Sequence, residues 1–194
     1  MKRNKKPKLI VVTGRPGAGK TTLAKELARL LYLPFVSRDE IKEGYVNTFG
    51  VSNSELPAEA NKNATETFFR VLHLLLSSDV SVVAEAAFQH AVWEQELVKL
   101  RPICEPVLVV CKVSPELAAQ RHLDRGLKDE KRLYYHGDNR VVHFMQTGEV
   151  LPPGEYETPT LDVETMYVDT TDGYNPSISS LAEEVFSYGK KRDS

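Results

Sequence analysis

Short apolar runs alternate along the chain with segments in which apolar residues recur every three or four positions. The first run, Leu9 to Val12, is apolar throughout, as is typical of a strand that is buried in a parallel sheet. Similar runs predict further strands at 35–37, 80–84, 107–113 and 166–168. Strands that alternate with helices indicate an α/β fold, with a parallel sheet and helices on both of its faces.

Helical periodicity is clearest at about 20–31 and about 58–76, where leucines and phenylalanines form an apolar stripe. Pro34 prevents the first of these helices from continuing, and Ser114 with Pro115 is typical of a helix start. Further helices are predicted at 40–49, where the pattern is weaker, around Trp93 to Leu100, from 115 to about 126, and after Pro176.

The segment from about 127 to 160 is polar, contains Gly and Pro residues, and shows order only in the short stretch Arg140 to Met145. It is too long for an ordinary connection between a helix and a strand. We therefore expect a mobile lid, or an insert that covers a substrate.

Composition favours a single domain that spans residues 1–194. Hydrophobic residues make up 41% of the chain and charged residues 27%, and the formal net charge is −2. This balance gives no general electrostatic reason to bind nucleic acid. Apolar runs are too short to span a membrane, so we expect a cytoplasmic protein.

The two ends of the chain are more basic than its middle. We interpret 1–7 and 190–194 as solvated, mobile tails, and the alternative is an arm that attracts phosphate. The basic residues concerned are Lys2, Arg3, Lys5, Lys6, Lys8, Lys190, Lys191 and Arg192. Cys104 and Cys111 lack the spacing of a metal site and are expected to be buried thiols.

A phosphate-binding motif follows the first predicted strand. The segment Gly14 to Thr21 reads GRPGAGKT and matches the P-loop pattern GxxxxGK[ST] at every fixed position. It also opens the first predicted helix, which is the context that the motif requires. The sequence therefore predicts that this loop holds the phosphates of ATP or a close relative.

The residue types of the loop fit this role. Glycines let backbone N–H groups approach phosphate oxygens closely. Lys20 would place a catalytic positive charge on the outer phosphates, and the Thr21 hydroxyl would bind Mg²⁺. The predicted nucleotide-binding residues of the loop are Gly14, Arg15, Pro16, Gly17, Ala18, Gly19, Lys20, Thr21 and Thr22.

Other classes of P-loop protein fit the sequence less well. A GTPase would carry an Asn-Lys-x-Asp motif, and the nearest string, Asn61 to Ala64, lacks the Asp. ATPases of the ABC or AAA type would be larger and would have a strand that ends in Asp, whereas the third predicted strand leads to Glu85. We therefore set these classes aside.

Acidic residues follow the strands that are expected next to the P-loop. Asp39 follows the second predicted strand and Glu85 follows the third. Ligands bind at the carboxyl edge of an open parallel sheet, so both carboxylates should lie near the phosphates. Asp39 is predicted to bind the acceptor hydroxyl and act as the base, and Glu85 to contact the acceptor or support Mg²⁺. The alternatives are a helix cap for Asp39 and a solvated loop charge for Glu85.

Arginines form a further candidate group. Arg121 and Arg125 are four residues apart on one predicted helix, and Arg132 follows in the insert. All of them are candidates for binding ATP, and Arg125 is also a candidate for stabilising charge in the transition state. The alternative is a solvated face that pairs with Asp124 or Glu130.

Together these motifs resemble the small P-loop kinases related to 5′-hydroxyl polynucleotide kinases, zeta toxins and chloramphenicol phosphotransferases. The resemblance rests on Gly14 to Thr21, Ser37-Arg38-Asp39, Val83 to Ala86 with Phe88, and Arg121-x-x-x-Arg125 followed by Arg132 and His136. It implies a P-loop NTPase three-layer sandwich with a five-stranded parallel sheet of order 2-3-1-4-5. It also implies that Asp39 is the general base or hydroxyl anchor, and that lid arginines clamp ATP.

The leading hypothesis is a phosphotransferase that uses ATP and Mg²⁺ to phosphorylate a hydroxyl group of a small molecule. The alternatives are a 5′-hydroxyl polynucleotide kinase and, from another class, a regulatory module that binds ATP without transfer. The acceptor pocket is expected between the helix after Asp39, the 58–76 helix and the insert. The side chains that could line it, or belong to the core instead, are Tyr45, Phe68, Phe88 and Trp93.

Overall fold

A parallel sheet forms the centre of the computed structural model, which describes residues 6–129 and 131–187. Its five strands have the order β2-β3-β1-β4-β5, which confirms the predicted fold class and sheet order. The strands are β1 (Lys8–Thr13), β2 (Phe35–Ser37), β3 (Val82–Glu85), β4 (Glu105–Lys112) and β5 (Glu164–Asp169).

Helices cover both faces of this sheet. They are α1 (Lys20–Leu31), α2 (Arg38–Phe49), α3 (Ala60–Ser77), α4 (His90–Leu100), α5 (Pro115–Lys128), α6 (Lys131–His136), α7 (Asn139–Thr147) and α8 (Ile178–Ser187). A short 3₁₀ turn (Asn53–Glu55) lies between α2 and α3. None of these helices is long and apolar enough to cross a membrane.

The core consists of two layers, one on each face of the sheet. Successive side chains of a strand point to opposite faces. Leu9 and Val11 of β1 therefore pack in the layer of α3 and α4, and Ile10 and Val12 pack in the layer of α1 and α8. Because every residue of β1 is buried, this strand fixes the start of the P-loop at the carboxyl edge of the sheet.

The insert after α5 is more ordered than the sequence predicted. Order was expected only at 140–145, but the helices α6 and α7 together cover most of 131–147. The prediction was wrong for α6 because a helix of six residues is too short to show periodicity. Its position depends on tertiary contacts instead, such as the hydrogen bond from Tyr135 Oη to Asn47 Oδ1 of α2 (2.9 Å). The mobility of the insert stays a prediction.

The helix that follows α6 packs closely on α5. A Cβ atom at Gly126 would lie 2.3 Å from Cγ2 of Val141, so only glycine permits this approach without rearrangement. Beside the same contact, His122 Nε2 lies 2.9 Å from Asp138 Oδ2. The two features hold α7 against α5.

Residues 1–5 and 190–194 of the predicted tails lie outside the described residues, as does Glu130. Lys6 and Lys8 are described and have partners in the fold. The Lys6 ammonium donates to the Arg101 carbonyl (3.1 Å), and Lys8 belongs to β1 with its ammonium 3.7 Å from a Glu105 carboxylate oxygen. Elsewhere, Cys104 and Cys111 are buried free thiols, as predicted.

Candidate active site

The P-loop is shaped by glycines at positions that other residues would distort. Gly14, Gly17 and Gly19 have φ values of 146°, 86° and 77°. A Cβ atom at Gly17 would lie 2.0 Å from the carbonyl oxygen of Ala118, near the start of α5. The loop is therefore packed directly on α5, and its backbone N–H groups are presented at the N-terminus of α1.

A cavity of about 890 Å³ lies between the P-loop, α2 and the insert. The predicted site residues that line it are Pro16, Gly17, Gly19, Lys20, Thr21, Thr22, Asp39, Glu85, Arg125 and Arg132. The predicted residues outside its lining are Gly14, Arg15, Ala18 and Arg121. The structure thus brings the candidate donor-side and acceptor-side residues together in one cleft.

Lys20 is the buried cation of this cleft. Its ammonium group donates a hydrogen bond to the Arg15 carbonyl oxygen (3.1 Å), which aims the side chain back along the loop. Burial lowers the pKa of Lys20, and the nearby carboxylates of Glu85 and Asp39 oppose that effect. The Lys20 ammonium group therefore lacks the stabilisation that water would give it, and a negatively charged phosphate group would supply that stabilisation instead.

Glu85 is a buried carboxylate at the end of β3. It is 3% exposed and accepts a hydrogen bond from the Ser37 hydroxyl (2.8 Å). Burial raises the pKa of Glu85, although Lys20 and the Ser37 hydrogen bond act in the opposite direction. A solvated loop charge, the alternative considered from the sequence, does not describe this residue.

Glu85→Gln is expected to raise the melting temperature by a few degrees at pH 8. The folded-state pKa of Glu85 lies above the unfolded value, so the stability linked to it is present at low pH. That stability is lost as the pH rises through the folded pKa. The gain from Gln should therefore shrink as the pH falls toward 4, as melting curves across this range would show. The exposed Glu157→Gln is the control, and an equal gain there would contradict the burial argument.

Asp39 lies in the first turn of α2 and is exposed to the cleft. Ser37 occupies the N-cap position of that helix, so the cap role considered for Asp39 does not apply. The Arg38 guanidinium lies 3.3 Å from Asp39 Oδ1 and also donates to the backbone and side-chain oxygens of Asn61. Arg38 therefore fixes the Asp39 carboxylate relative to α3.

The arginines of α5 do not act as one group. Arg125 lines the cleft with Arg132, and partial withdrawal from water together with the neighbouring Arg132 lowers the pKa of Arg125. Arg121 instead donates to the carbonyl oxygens of Thr170 (2.7 Å) and Thr171 (2.8 Å). It therefore ties α5 to the loop after β5, and a role in nucleotide binding stays a prediction.

Further charged residues of the cleft were missed in the sequence. Lys42 and Glu43 follow Asp39 at spacings of three and four, which places them on the same face of α2. Glu43 Oε1 lies 3.0 Å from Nε2 of His136, so α6 contacts α2 across the cleft. The helical spacing from Asp39 could have identified the α2 residues, whereas nothing in the sequence pairs Glu43 with His136.

The aromatic residues proposed for the acceptor pocket lie elsewhere. Phe68, Phe88 and Trp93 form a cluster with Phe69, with ring centroids 5.1 to 6.0 Å apart. The Tyr45 hydroxyl forms a hydrogen bond with the Thr67 hydroxyl, with the two oxygens 3.0 Å apart. None of these rings lines the cleft, and the core alternative is correct for Phe68 and Trp93, which are fully buried.

The donor set of the cleft fits Mg²⁺ only together with a nucleotide. Among residues 6–129 and 131–187, no group of three or more His, Cys, Asp or Glu side chains could hold a metal ion. Mg²⁺ commonly takes one or two protein oxygens, with water and substrate phosphates as its other ligands. Thr21 and Glu85 both line the cleft and would serve such a site as ligand and supporting carboxylate.

The model of a protein family described as AAA domain matches residues 9–138. The chain belongs to this AAA domain family. The match begins in β1 and ends just before α7, so it includes the P-loop, Asp39, Glu85 and the cleft arginines.

Known proteins similar to this AAA domain chain include several described as kinases. A cytidylate kinase of Pyrobaculum arsenaticum is 32% identical over 127 residues, which are 64% of this chain and 62% of that protein. The chain thus spans less than two thirds of that relative. A candidate kinase from Chloroflexus aurantiacus has a TM-score of 0.74 at 26% identity, over 93% of this chain and 97% of that one.

A lower similarity extends to a further kinase structure. The Mycobacterium tuberculosis APS kinase CysC has a TM-score of 0.57 at 17% identity, over 93% of this chain and 96% of that one, and shares the fold. The family match and the structural neighbours together confirm the predicted resemblance to small P-loop kinases.

Proposed function

We propose that this protein is a kinase that transfers the γ-phosphoryl group of ATP to a small, polar acceptor, with a hydroxyl group as the attacking nucleophile. The observation that carries the proposal is the single cleft in which Asp39 and Glu85 face Lys20 and Thr21, with Arg125 and Arg132 beside them. A protein that only binds nucleotide has no need for a carboxylate such as Asp39 on the acceptor side of its P-loop.

In the proposed reaction, the P-loop N–H groups and Lys20 bind the β- and γ-phosphates. Asp39 accepts the proton of the acceptor hydroxyl as its oxygen bonds to the γ-phosphorus, and the bond to the bridging oxygen of ADP breaks. Arg125 and Arg132 stabilise the negative charge on the transferred group. Mg²⁺, when bound with ATP, would neutralise charge on the phosphates.

The lining of the cleft supports an acceptor that is polar and negatively charged. Its acceptor side contains Arg38, Lys42 and Arg132 beside the carboxylates of Asp39, Glu40 and Glu43, and no Phe, Tyr or Trp ring is among the described residues that line it. The Lys42 side chain is half-buried, and its ammonium group has no hydrogen bond or ion pair within the described part of the chain. Burial lowers the pKa of Lys42, and the neighbouring Arg38 adds to that effect. A carboxylate or phosphate on the acceptor would complete this arrangement.

A second candidate acceptor is a nucleoside monophosphate, which would be attacked through a phosphate oxygen. The similarity to the Pyrobaculum arsenaticum cytidylate kinase favours it. Against it, a pyrimidine or purine ring would find no Phe, Tyr or Trp side chain to stack on among the described residues of the cleft. A polynucleotide acceptor is disfavoured because α6 contacts α2 through His136 and Glu43 on the acceptor side.

An acceptor screen tests these proposals. The protein would be incubated with ATP and Mg²⁺ and with hydroxy acids, sugar phosphates, neutral polyols, nucleoside monophosphates or 5′-hydroxyl oligonucleotides. ADP release and the product mass would be measured for each compound. Phosphorylation of an anionic hydroxyl compound would support the proposal, and phosphorylation of a monophosphate would support the second candidate. Tight ATP binding with only background hydrolysis would favour a regulatory module.

Lys42→Gln is expected to raise KM for an anionic acceptor about tenfold or more, because a charge-assisted contact is lost. KM for ATP should change little, since Lys42 lies on α2 and not on the P-loop. The measurement is steady-state kinetics with each substrate varied in turn. Lys62→Gln, on the exposed face of α3, is the matched control. An equal effect of Lys42→Gln on a neutral acceptor would contradict the role in charge recognition.

A further inference from the structure

The P-loop is contacted near each of its ends by a tyrosine hydroxyl. The hydroxyl oxygens of Tyr156 and Thr13 are 3.2 Å apart, where β1 enters the loop. Tyr174 Oη donates to the Gly19 carbonyl oxygen (3.1 Å), where the loop enters α1. Both tyrosines lie outside the family match, which ends at residue 138. These contacts are therefore supplied by the part of the chain that the family match does not reach.

Tyr156 is built into the start of the loop. The Arg15 guanidinium lies over the Tyr156 ring, and its carbon atom Cζ is 5.9 Å from the ring centroid. Burial raises the pKa of Tyr156, although the Thr13 hydroxyl and the Gly14 backbone act in the opposite direction. The phenol is therefore neutral at physiological pH and can both donate and accept a hydrogen bond.

Tyr174 holds the other end of the loop. A Cβ atom at Gly19 would lie 3.3 Å from the Tyr174 hydroxyl, so the phenol rests directly on the loop backbone. Burial raises the pKa of Tyr174, although Thr22 in the first turn of α1 acts in the opposite direction. The contact fixes the turn from which the α1 N–H groups point into the cleft.

The segment that carries Tyr156 is itself anchored. The Arg140 guanidinium of α7 donates to the carbonyl oxygens of Leu151 (2.7 Å) and Pro152 (2.5 Å). Farther along, the Thr160 backbone N–H donates to Nδ1 of His90 (3.3 Å). Tyr156 is thus presented to the P-loop by backbone that is tied down on either side of it.

We propose that Tyr156 and Tyr174 are positioning residues that hold the P-loop in its phosphate-binding conformation before the nucleotide arrives. A loop that is already ordered does not lose further conformational freedom on binding, so its affinity for nucleotide is higher. The inference rests on the nucleotide binding that is part of the proposed function. It adds residues that act on ATP through the loop backbone and do not line the phosphate cleft themselves.

The test measures ATP binding to Tyr156→Phe, Tyr174→Phe and the double variant by titration calorimetry without an acceptor. Phe keeps each ring and removes only the hydroxyl. We expect each single variant to weaken ATP binding about fivefold, as for the loss of one neutral hydrogen bond. Hydrogen exchange at the backbone amides of 14–19 should become faster in the nucleotide-free variants.

Two control variants separate positioning from general destabilisation. Tyr32→Phe alters a side chain that is 95% exposed, and Leu97→Val weakens the core layer of α3 and α4. Neither should change ATP affinity or exchange in the loop. The inference is overturned if both Tyr→Phe variants bind ATP like the wild type, or if Leu97→Val weakens binding equally.

Failure of the proposed function would give a different result. If the wild type binds ATP, the hydroxyls affect its affinity and no acceptor is ever phosphorylated, the positioning role stands and the kinase proposal falls. If transfer occurs and the Tyr→Phe variants behave as wild type, only the positioning role is wrong. A wild type that binds no ATP would overturn both.

Discussion

Asp39→Asn is expected to lower the rate of phosphoryl transfer by about 10²–10⁴-fold, the usual contribution of a general base. The amide has nearly the same shape but cannot accept the proton of the acceptor hydroxyl. The Arg38 guanidinium lies 3.3 Å from Asp39 Oδ1. Because Asn keeps an oxygen atom on the same side chain, the variant should leave the surrounding residues largely in place. Affinity for ATP should change little. The measurement is single-turnover transfer with the acceptor found in the screen, together with ATP titration.

The neighbouring carboxylate provides the control for Asp39. Glu40 also lines the cleft, but it forms an ion pair with Lys25 (2.6 Å) and points toward α1. Glu40→Gln should therefore retain most of the wild-type rate. A rate for Asp39→Asn within a few-fold of wild type, or an equal loss in both variants, would show that the proton acceptor lies elsewhere.

Lys20→Met is expected to lower the transfer rate by about 10²–10³-fold, as for the loss of one preorganised donor at a charged transition state. Met keeps the length of the side chain and removes its charge. The nucleotide-free protein should fold, because burial already disfavours the ammonium group at this position. ATP binding should also weaken, since the variant lacks the cation next to the outer phosphates.

Lys25→Met is the matched change on the exposed side of the same helix. Lys25 also lines the cleft, but its ammonium group pairs with Glu40 and lies 5.6 Å from the centroid of the Phe35 ring. Each of the two variants removes one positive charge from α1, so they differ only in the position from which the charge is removed. Comparable kinetics for the two variants would contradict the role assigned to Lys20.

The donor half of the site could be predicted because its signal is local. The P-loop residues are consecutive, and β1 before them is apolar without interruption. Asp39 and Glu85 could be placed because parallel strands end at a common edge, and the sheet order confirms that β2 and β3 are neighbours. For these residues, sequence position and spatial position are linked through the strands.

The acceptor half could not be predicted in the same way because it depends on contacts between distant segments. The helix α6 is stabilised by its contacts with α2. One of these contacts joins Glu43 and His136, which share no periodic pattern in the sequence. Phe68, Phe88 and Trp93 illustrate the opposite error. Large apolar side chains fit either a pocket or a core, and the sequence does not indicate which surface covers them.

The contacts of Gly17 and Gly126 have a consequence for how the two arginines of the cleft are held in place. The first seats the P-loop on α5, and the second seats α7 on the same helix. The P-loop and α7 are therefore both packed on the helix that carries Arg125. Arg132 belongs to α6, the short helix before α7. The position of Arg125 thus follows from the close backbone packing of the P-loop on α5, whereas that of Arg132 depends on the side-chain contacts of α6 with α2.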